Sequence, residues 1–319
     1  MTSFADTQRK RSKILRIGLQ ALFSIASMAL LIWFLANDDF YEKVTKIHWS
    51  TIVGAFALTM FQAAATALRW DLILKNYSIH FPLVTVFRVQ LASLFASLFL
   101  PSSVGTGVGK LILLVKAASP VKILESVILD KVFALLALAL LCTISIGYIF
   151  ITHPESTAIF YQQWIIAVIL VGLVLGVILW RKGQRYLSGM ARIFNVIPTL
   201  SLPALLHISL ISLLAPLLTI CVYILVASHL APELQPWKFL LLLPTVMMVS
   251  ALPISFNGWG VREAASVVVF GLIGMDEPQA LAISVQVGVL SIIPSLVGAF
   301  CWYKLPARPD GSSGNPATD

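Results

Sequence analysis

The chain has 319 residues, 59% of them hydrophobic and only 11% charged, with a mean hydropathy of +0.92. A soluble fold of that composition would expose more apolar surface than water tolerates, so the chain reads as membrane-embedded. The net charge of +8 does not point to nucleic acid, because the basic residues crowd the ends of apolar runs, as in Arg9, Lys10, Arg11, Lys13 and Arg16, rather than forming a face of their own.

In chain order, residues 1–16 read as a basic cytoplasmic tail. Ile17–Ala36 is a first apolar run long enough to span about 30 Å of hydrocarbon. No small-x-small cleavage site follows it, so it reads as a retained signal anchor. Further runs lie near Thr51–Leu68, Ile123–Phe150, Trp164–Trp180, Ala204–Val226 and Gln279–Tyr303. Loop charge sets the orientation. Asp38, Asp39 and Glu42 face outward, Arg69, Lys75 and Arg88 inward, and the Lys- and Arg-free loop around His153 and Glu155 outward. Arg181, Lys182, Arg185 and Arg192 return inward, Pro232-Glu233 outward, and Lys304 and Arg308 place the C-terminus inside. The expected location is a plasma (inner) membrane crossed several times with both termini cytoplasmic, and residues 304–319 read as a disordered tail.

Two apolar stretches are broken midway by Pro, Gly and polar residues: Leu98-Phe-Leu-Pro-Ser-Ser-Val-Gly-Thr-Gly-Val-Gly-Lys110 and Leu252-Pro-Ile-Ser-Phe-Asn-Gly-Trp-Gly-Val-Arg-Glu263. Irregular backbone at membrane depth survives only inside protein or along a wet cavity, so each reads as a re-entrant hairpin. Both carry Leu-Pro, then Ser, then Gly-x-Gly-Val, and then a cation. Gly105 and Gly258 lie 153 residues apart, and the same shift carries 51–68 onto 204–221 and 123–150 onto 276–303. The chain therefore divides into repeats at 17–150 and 164–303. Three full spans per repeat would invert the second against the first, an arrangement common in secondary transporters. The expected fold is all-α and polytopic, an inverted repeat of about six full spans plus two re-entrant hairpins, or eight or more helices if the hairpins cross.

Gly105–Lys110 is not a nucleotide-binding loop, since Val104 stands where its first Gly is required and Leu111 follows the Lys. Glycine still lets backbone approach a ligand, and a helix start offers free N–H groups. Lys110 and Arg262, read as lying at the two helix starts, would suit a phosphate headgroup. Alternatively the glycines serve packing and the cations snorkel. Asp130 and Lys131 lie inside an apolar run, where a charge needs a partner; Arg69, Arg88 and Lys110 are candidates for Asp130, and a base of the facing repeat for Glu263. Ser102, Ser103, Thr106, Gly107, Ser255, Asn257, Trp259 and Gly260 complete a candidate substrate path. The five histidines and the cysteines Cys142, Cys221 and Cys301 have no metal-ligand spacing, so neither metal nor cofactor is expected.

At these motifs the sequence resembles the lysylphosphatidylglycerol synthase transmembrane-region family, which includes the flippase domain of the bacterial multiple peptide resistance factor. The matching pieces are Leu68-Arg-Trp70, Leu100-Pro-Ser-Ser-Val-Gly105, Asp130-Lys131 and Leu252–Glu263. Where the family often has Gly-Gly-Asp followed by Arg, this chain has Gly105-Thr-Gly107 and Lys110. No length remains after Tyr303 for a soluble aminoacyl-transferase domain, so lipid lysylation by this chain alone is not expected. The resemblance implies a translocator of an anionic, aminoacylated or polyprenyl-phosphate-linked lipid rather than an enzyme. Membrane-embedded lipid modification, or a non-transporting partnership with a lipid-modifying enzyme, is the alternative. The implied partners are a membrane phospholipid or lipid-linked phosphate, such an enzyme, and a second copy of the chain.

Overall fold

The structure is a computed structural model that describes residues 25–26, 28–33, 38–45, 47–99, 102–114, 117–152, 201–252, 255 and 257–304. Both tails and the run Trp164–Trp180 lie outside these residues, as does most of Ile17–Ala36.

Helices named in order of sequence are α1 (Asp38–Thr45), α2 (Trp49–Asn76), α3 (Leu83–Ser97), α4 (Ser102–Leu114), α5 (Pro120–Thr152), α6 (Leu202–Leu230), α7 (Pro236–Ser250), α8 (Val261–Gly271) and α9 (Glu277–Lys304). Helix starts follow local chemistry. Proline, whose missing N–H costs nothing in a first turn, opens α5 and α7, and the Ser201 hydroxyl accepts from Ala204 N at 3.4 Å to cap α6. The helices α2, α5, α6 and α9 are long and apolar enough to cross a membrane, and the chain is an all-α polytopic membrane protein. At 1.5 Å per residue they run roughly 42–50 Å, whereas α3, α4, α7 and α8 run only about 16–22 Å. The short helices come in pairs, α3 packed on α4 and α7 on α8, as re-entrant hairpins require. Bulky side chains such as Leu136, Leu140 and Ile144 of α5 remain exposed, the expected result when lipid is the solvent.

The long-short-short-long order occurs twice. Shifting α2 and α3 by 153 residues reproduces the starts of α6 and α7, Leu202 and Pro236. The packing repeats as well: α3 lies on α9 and, reciprocally, α7 on α5. Between α5 and α7 the hydroxyls of Ser145 and Thr245 bond at 2.7 Å. The matching positions in the other pair are Gly298 and Ala92. There any Cβ on Gly298 would collide with the carbonyl of Leu91, so glycine lets the backbones meet.

The equivalent helices α2 and α6 pack against each other, and their contacts give the relative direction. Thr51 meets His229 at 3.3 Å, Gln62 donates to Thr219 at 2.8 Å, and Arg69 donates to Ser212 at 3.3 Å. As one residue number rises the other falls, so α2 and α6 are antiparallel. The pseudo-two-fold axis passes close to Ala64 and Leu217, positions related by the same 153-residue shift.

One expectation changes. The first break was expected to run through the Gly-x-Gly-x-Gly stretch to Lys110, but α4 already begins at Ser102, and Gly105, Gly107 and Gly109 lie within it. Close packing outweighs the helix cost of glycine, about 1 kcal/mol each. A Cβ on Gly109 would come within 2.8 Å of Ser93 Cα on α3, and one on Gly107 within 3.0 Å of Val127 on α5.

Candidate functional site

Two buried polar clusters lie at equivalent places in the two halves. The first is centred on Asp130 of α5. Arg69 Nε from α2 donates to Asp130 Oδ1 at 2.7 Å, and Lys110 Nζ from α4 donates to Oδ2 at 3.0 Å. All three residues are at most 4% exposed. Arg69 also reaches Ser212 of α6, so three elements of one half and one of the other share this network. Lys110 sits over the Trp70 ring, 4.3 Å from its centroid, and Trp70 Nε1 donates to Ser126 Oγ at 3.2 Å. Lys131 points elsewhere than Asp130, as neighbours on a helix must, and donates to Thr106 Oγ1 of α4 at 2.7 Å.

This settles the pairing left open by the sequence: Asp130 takes Arg69 and Lys110, while Arg88 is exposed. Lys110 lies two turns inside α4, so it is not a cation at a helix start. The cluster brings two cations to one carboxylate and sets Lys131 beside them on Thr106, and Asp130 is the single acidic partner among the described residues.

The second cluster surrounds Glu263. Asn257, Gly258 and Gly260 take positive φ values of 46°, 78° and 82°, turning the chain sharply into α8. Gly260 N then donates to Glu263 Oε2 at 2.6 Å, so the chain's own carboxylate occupies this helix start. The Arg262 Nε donates to Glu263 Oε1 at 2.9 Å, and Ser284 Oγ of α9 donates to the same oxygen at 3.3 Å. Glu263 is fully buried. Its partner is therefore the adjacent Arg262, held in reach by the turn, and not a base of the facing repeat. Arg262 stacks on Trp259 at 4.8 Å, and the absence of a side chain at Gly288 makes room for both, since a Cβ there would come within 2.7 Å of the Trp259 ring. The Ser255 and Ser266 hydroxyls are buried with no hydrogen-bond partner among the described residues.

The 153-residue shift connects the clusters. It carries Trp70 to Tyr223, Lys110 to Glu263 and Lys131 to Ser284. The same scaffold thus holds a cation in one half and a carboxylate in the other. The structure joins Arg69, Thr106, Lys110, Asp130 and Lys131 in one cluster and Trp259, Gly260, Arg262 and Glu263 in the other. Gly105 is buried in α4, and Ser102 and Ser103 open that helix, but their side chains lie outside the described residues. No ion pair links Lys110, Asp130 or Lys131 to Arg262 or Glu263. Sequence reasoning passed over Ser126, Ser212, Ser284 and Gly288. The repeat shift from Lys131 pointed to Ser284; the other three carry no such signal.

A search of curated proteins returns no match to this chain. A family model matches residues 19–298, which include every residue of both clusters and all but the end of α9 among the helices that build them. By that match, the chain belongs to the family described as the lysylphosphatidylglycerol synthase TM region.

Proposed function

We propose that this chain moves a phosphate-bearing lipid between the two leaflets, with the re-entrant hairpins handling the headgroup while the tails stay in the bilayer. Membership of the family supports a role with membrane lipids. The observation that carries the finer reading is the charge around Asp130: Arg69 and Lys110 bond its carboxylate, while the adjacent Lys131 turns away from it to the Thr106 hydroxyl. An uncompensated charge away from water costs several kcal/mol, and an incoming anion removes that cost. Arg69 supplies a planar fork matched to phosphate oxygens, and the two lysines supply compact charges. The lipid class that fits is one whose headgroup carries a phosphate: an anionic or aminoacylated phospholipid, or a polyprenyl-phosphate-linked lipid.

Arg262 is largely buried against Glu263, whose carboxylate also takes the Gly260 N–H at the helix start. This pair is assigned the lesser share of anion binding and the greater share of shaping the second hairpin. Purified protein reconstituted into liposomes with a fluorescent phospholipid tests the reading. Headgroup accessibility to a membrane-impermeant quencher should rise with protein, and Lys110→Ala should slow that rise at least tenfold, the factor expected from losing one charge-assisted contact of about 1.5–3 kcal/mol. Chemically altered lipid without a change in accessibility would favour the enzyme alternative and sink this one.

A further inference from the structure

The face of α2 opposite the Asp130 cluster carries a groove that the charged sites do not use. A cavity of about 270 Å³ is lined by Leu68, Leu72, Phe81 and Leu83, with Asp71 and Lys75 at one end. A second, of about 260 Å³, continues from it through the shared Leu68 and Leu83 to Ala64, Ala67 and Val84. The α2 positions 64, 67, 68, 71, 72 and 75 form one helical stripe, so the two adjacent cavities follow one face of α2 beside α3, with Ile211 of α6 also lining the first.

We propose that this groove seats one acyl chain of a glycerophospholipid, with its phosphate at Lys75. Three observations fix the occupant. First, the groove opens on a surface where Leu68 of the membrane-spanning α2 and Leu83 and Val84 at the start of the short apolar α3 are exposed, so hydrocarbon is what meets it. Second, its length matches one leaflet. Ala64 lies near the pseudo-two-fold axis, which an inverted repeat places at the bilayer midplane, and eleven residues of helix to Lys75 rise about 16 Å, half of a core about 30 Å thick. Third, the polar end carries the right group. Asp71 is buried and holds Lys75 at 2.7 Å, with the lysine side chain half exposed at the depth of a headgroup.

The other half contains the counterpart. A cavity of about 130 Å³ is lined in part by Ile224, Ser228, Leu234 and Pro236. These positions are Asp71, Lys75, Phe81 and Leu83 shifted by 153 residues. The second seat thus serves the opposite leaflet, but Ile and Ser replace the ion pair, so it offers no cation to a phosphate. The chain therefore distinguishes the leaflets by headgroup: the seat at the Asn76 end of α2 prefers an anionic lipid, and the other does not. This inference depends on the chain spanning the membrane and on the repeat, and does not require that it translocate lipid.

The test uses the full chain in vesicles of phosphatidylcholine containing a minor fraction of phosphatidylglycerol with a photoreactive group on one acyl chain. Photolysis should label peptides containing Ala64–Lys75 and Leu83–Phe87 in preference to the lipid-facing α5 surface around Leu136. Ala64→Trp, which fills the groove, should abolish the preference, and Leu136→Trp should leave it intact. Lys75→Gln should reduce phosphatidylglycerol labelling of the groove about fivefold, the factor one surface cation contributes, to the level given by photoreactive phosphatidylcholine. Even labelling of α2 and α5, or labelling insensitive to Ala64→Trp, would overturn the seat. Preferential labelling by both lipids alike in the unaltered chain would overturn its headgroup preference. Because the readout is contact rather than transport, a groove labelled as expected in a protein that moves no lipid would refute the translocator and leave the seat standing.

Discussion

Asp130 holds two cations from two different helices in a place where neither has another carboxylate among the described residues. Asp130→Asn should therefore lower stability by about 3–5 kcal/mol, the usual cost of stranding a buried charge. Thermal unfolding in detergent would check this, and adding Lys110→Met should recover part of the loss by removing one stranded cation. A second residue-scale prediction concerns Gly298. Gly298→Leu should destabilise by about 1–3 kcal/mol, because the side chain would separate α9 from the Leu91 carbonyl on α3. The sequence made the need for partners visible, since charges inside an apolar run must be paired, and it narrowed those of Asp130 to three. It could not choose among them, because Arg69 lies 61 positions away and only the packing of α2 on α5 brings it near. Glu263 was misassigned for the opposite reason. Adjacent helical residues diverge, but Arg262 and Glu263 sit in the first turn after a left-handed bend, where the arginine side chain can fold back.

At the scale of elements, the 153-residue spacing of two glycine motifs was enough to indicate the repeat, and the starts of α6 and α7 follow it from α2 and α3. The same glycines misled about α4. Three of them at alternate positions read as loop from propensity alone, yet Gly107 and Gly109 meet α5 and α3 closely enough that the helix is retained by those contacts. Their equivalents before α8 do form a turn, because Asn257, Gly258 and Gly260 adopt left-handed conformations there. The antiparallel α2–α6 pair is the element-scale basis of inversion, and cysteine pairs test it. With the three native cysteines replaced, Gln62→Cys with Thr219→Cys should form a disulfide readily on oxidation, whereas Thr51→Cys with Ser212→Cys should not. Cross-linking of the second pair would require parallel helices and remove the inverted repeat.

For the whole molecule, composition established the membrane environment, and each half sets a pair of helices shorter than a full span between two long ones. The two halves share a scaffold but not a charge, with Lys110 in one occupying the place of Glu263 in the other. That asymmetry could not be read from composition, because a net charge counts residues without showing which of them are buried together. It places the excess positive charge of the buried clusters on one side of the pseudo-two-fold axis. The central claim is that this cluster takes the phosphate of a lipid on its way between leaflets. The most direct measurement is quencher accessibility of a fluorescent phospholipid in liposomes containing the wild-type chain or Lys110→Ala, with matched protein content and a folded variant confirmed by thermal unfolding. The account predicts protein-dependent translocation that Lys110→Ala slows at least tenfold, as expected for the loss of a charge-assisted contact. Wild-type rates in that variant, or no translocation by the unaltered chain, would contradict it.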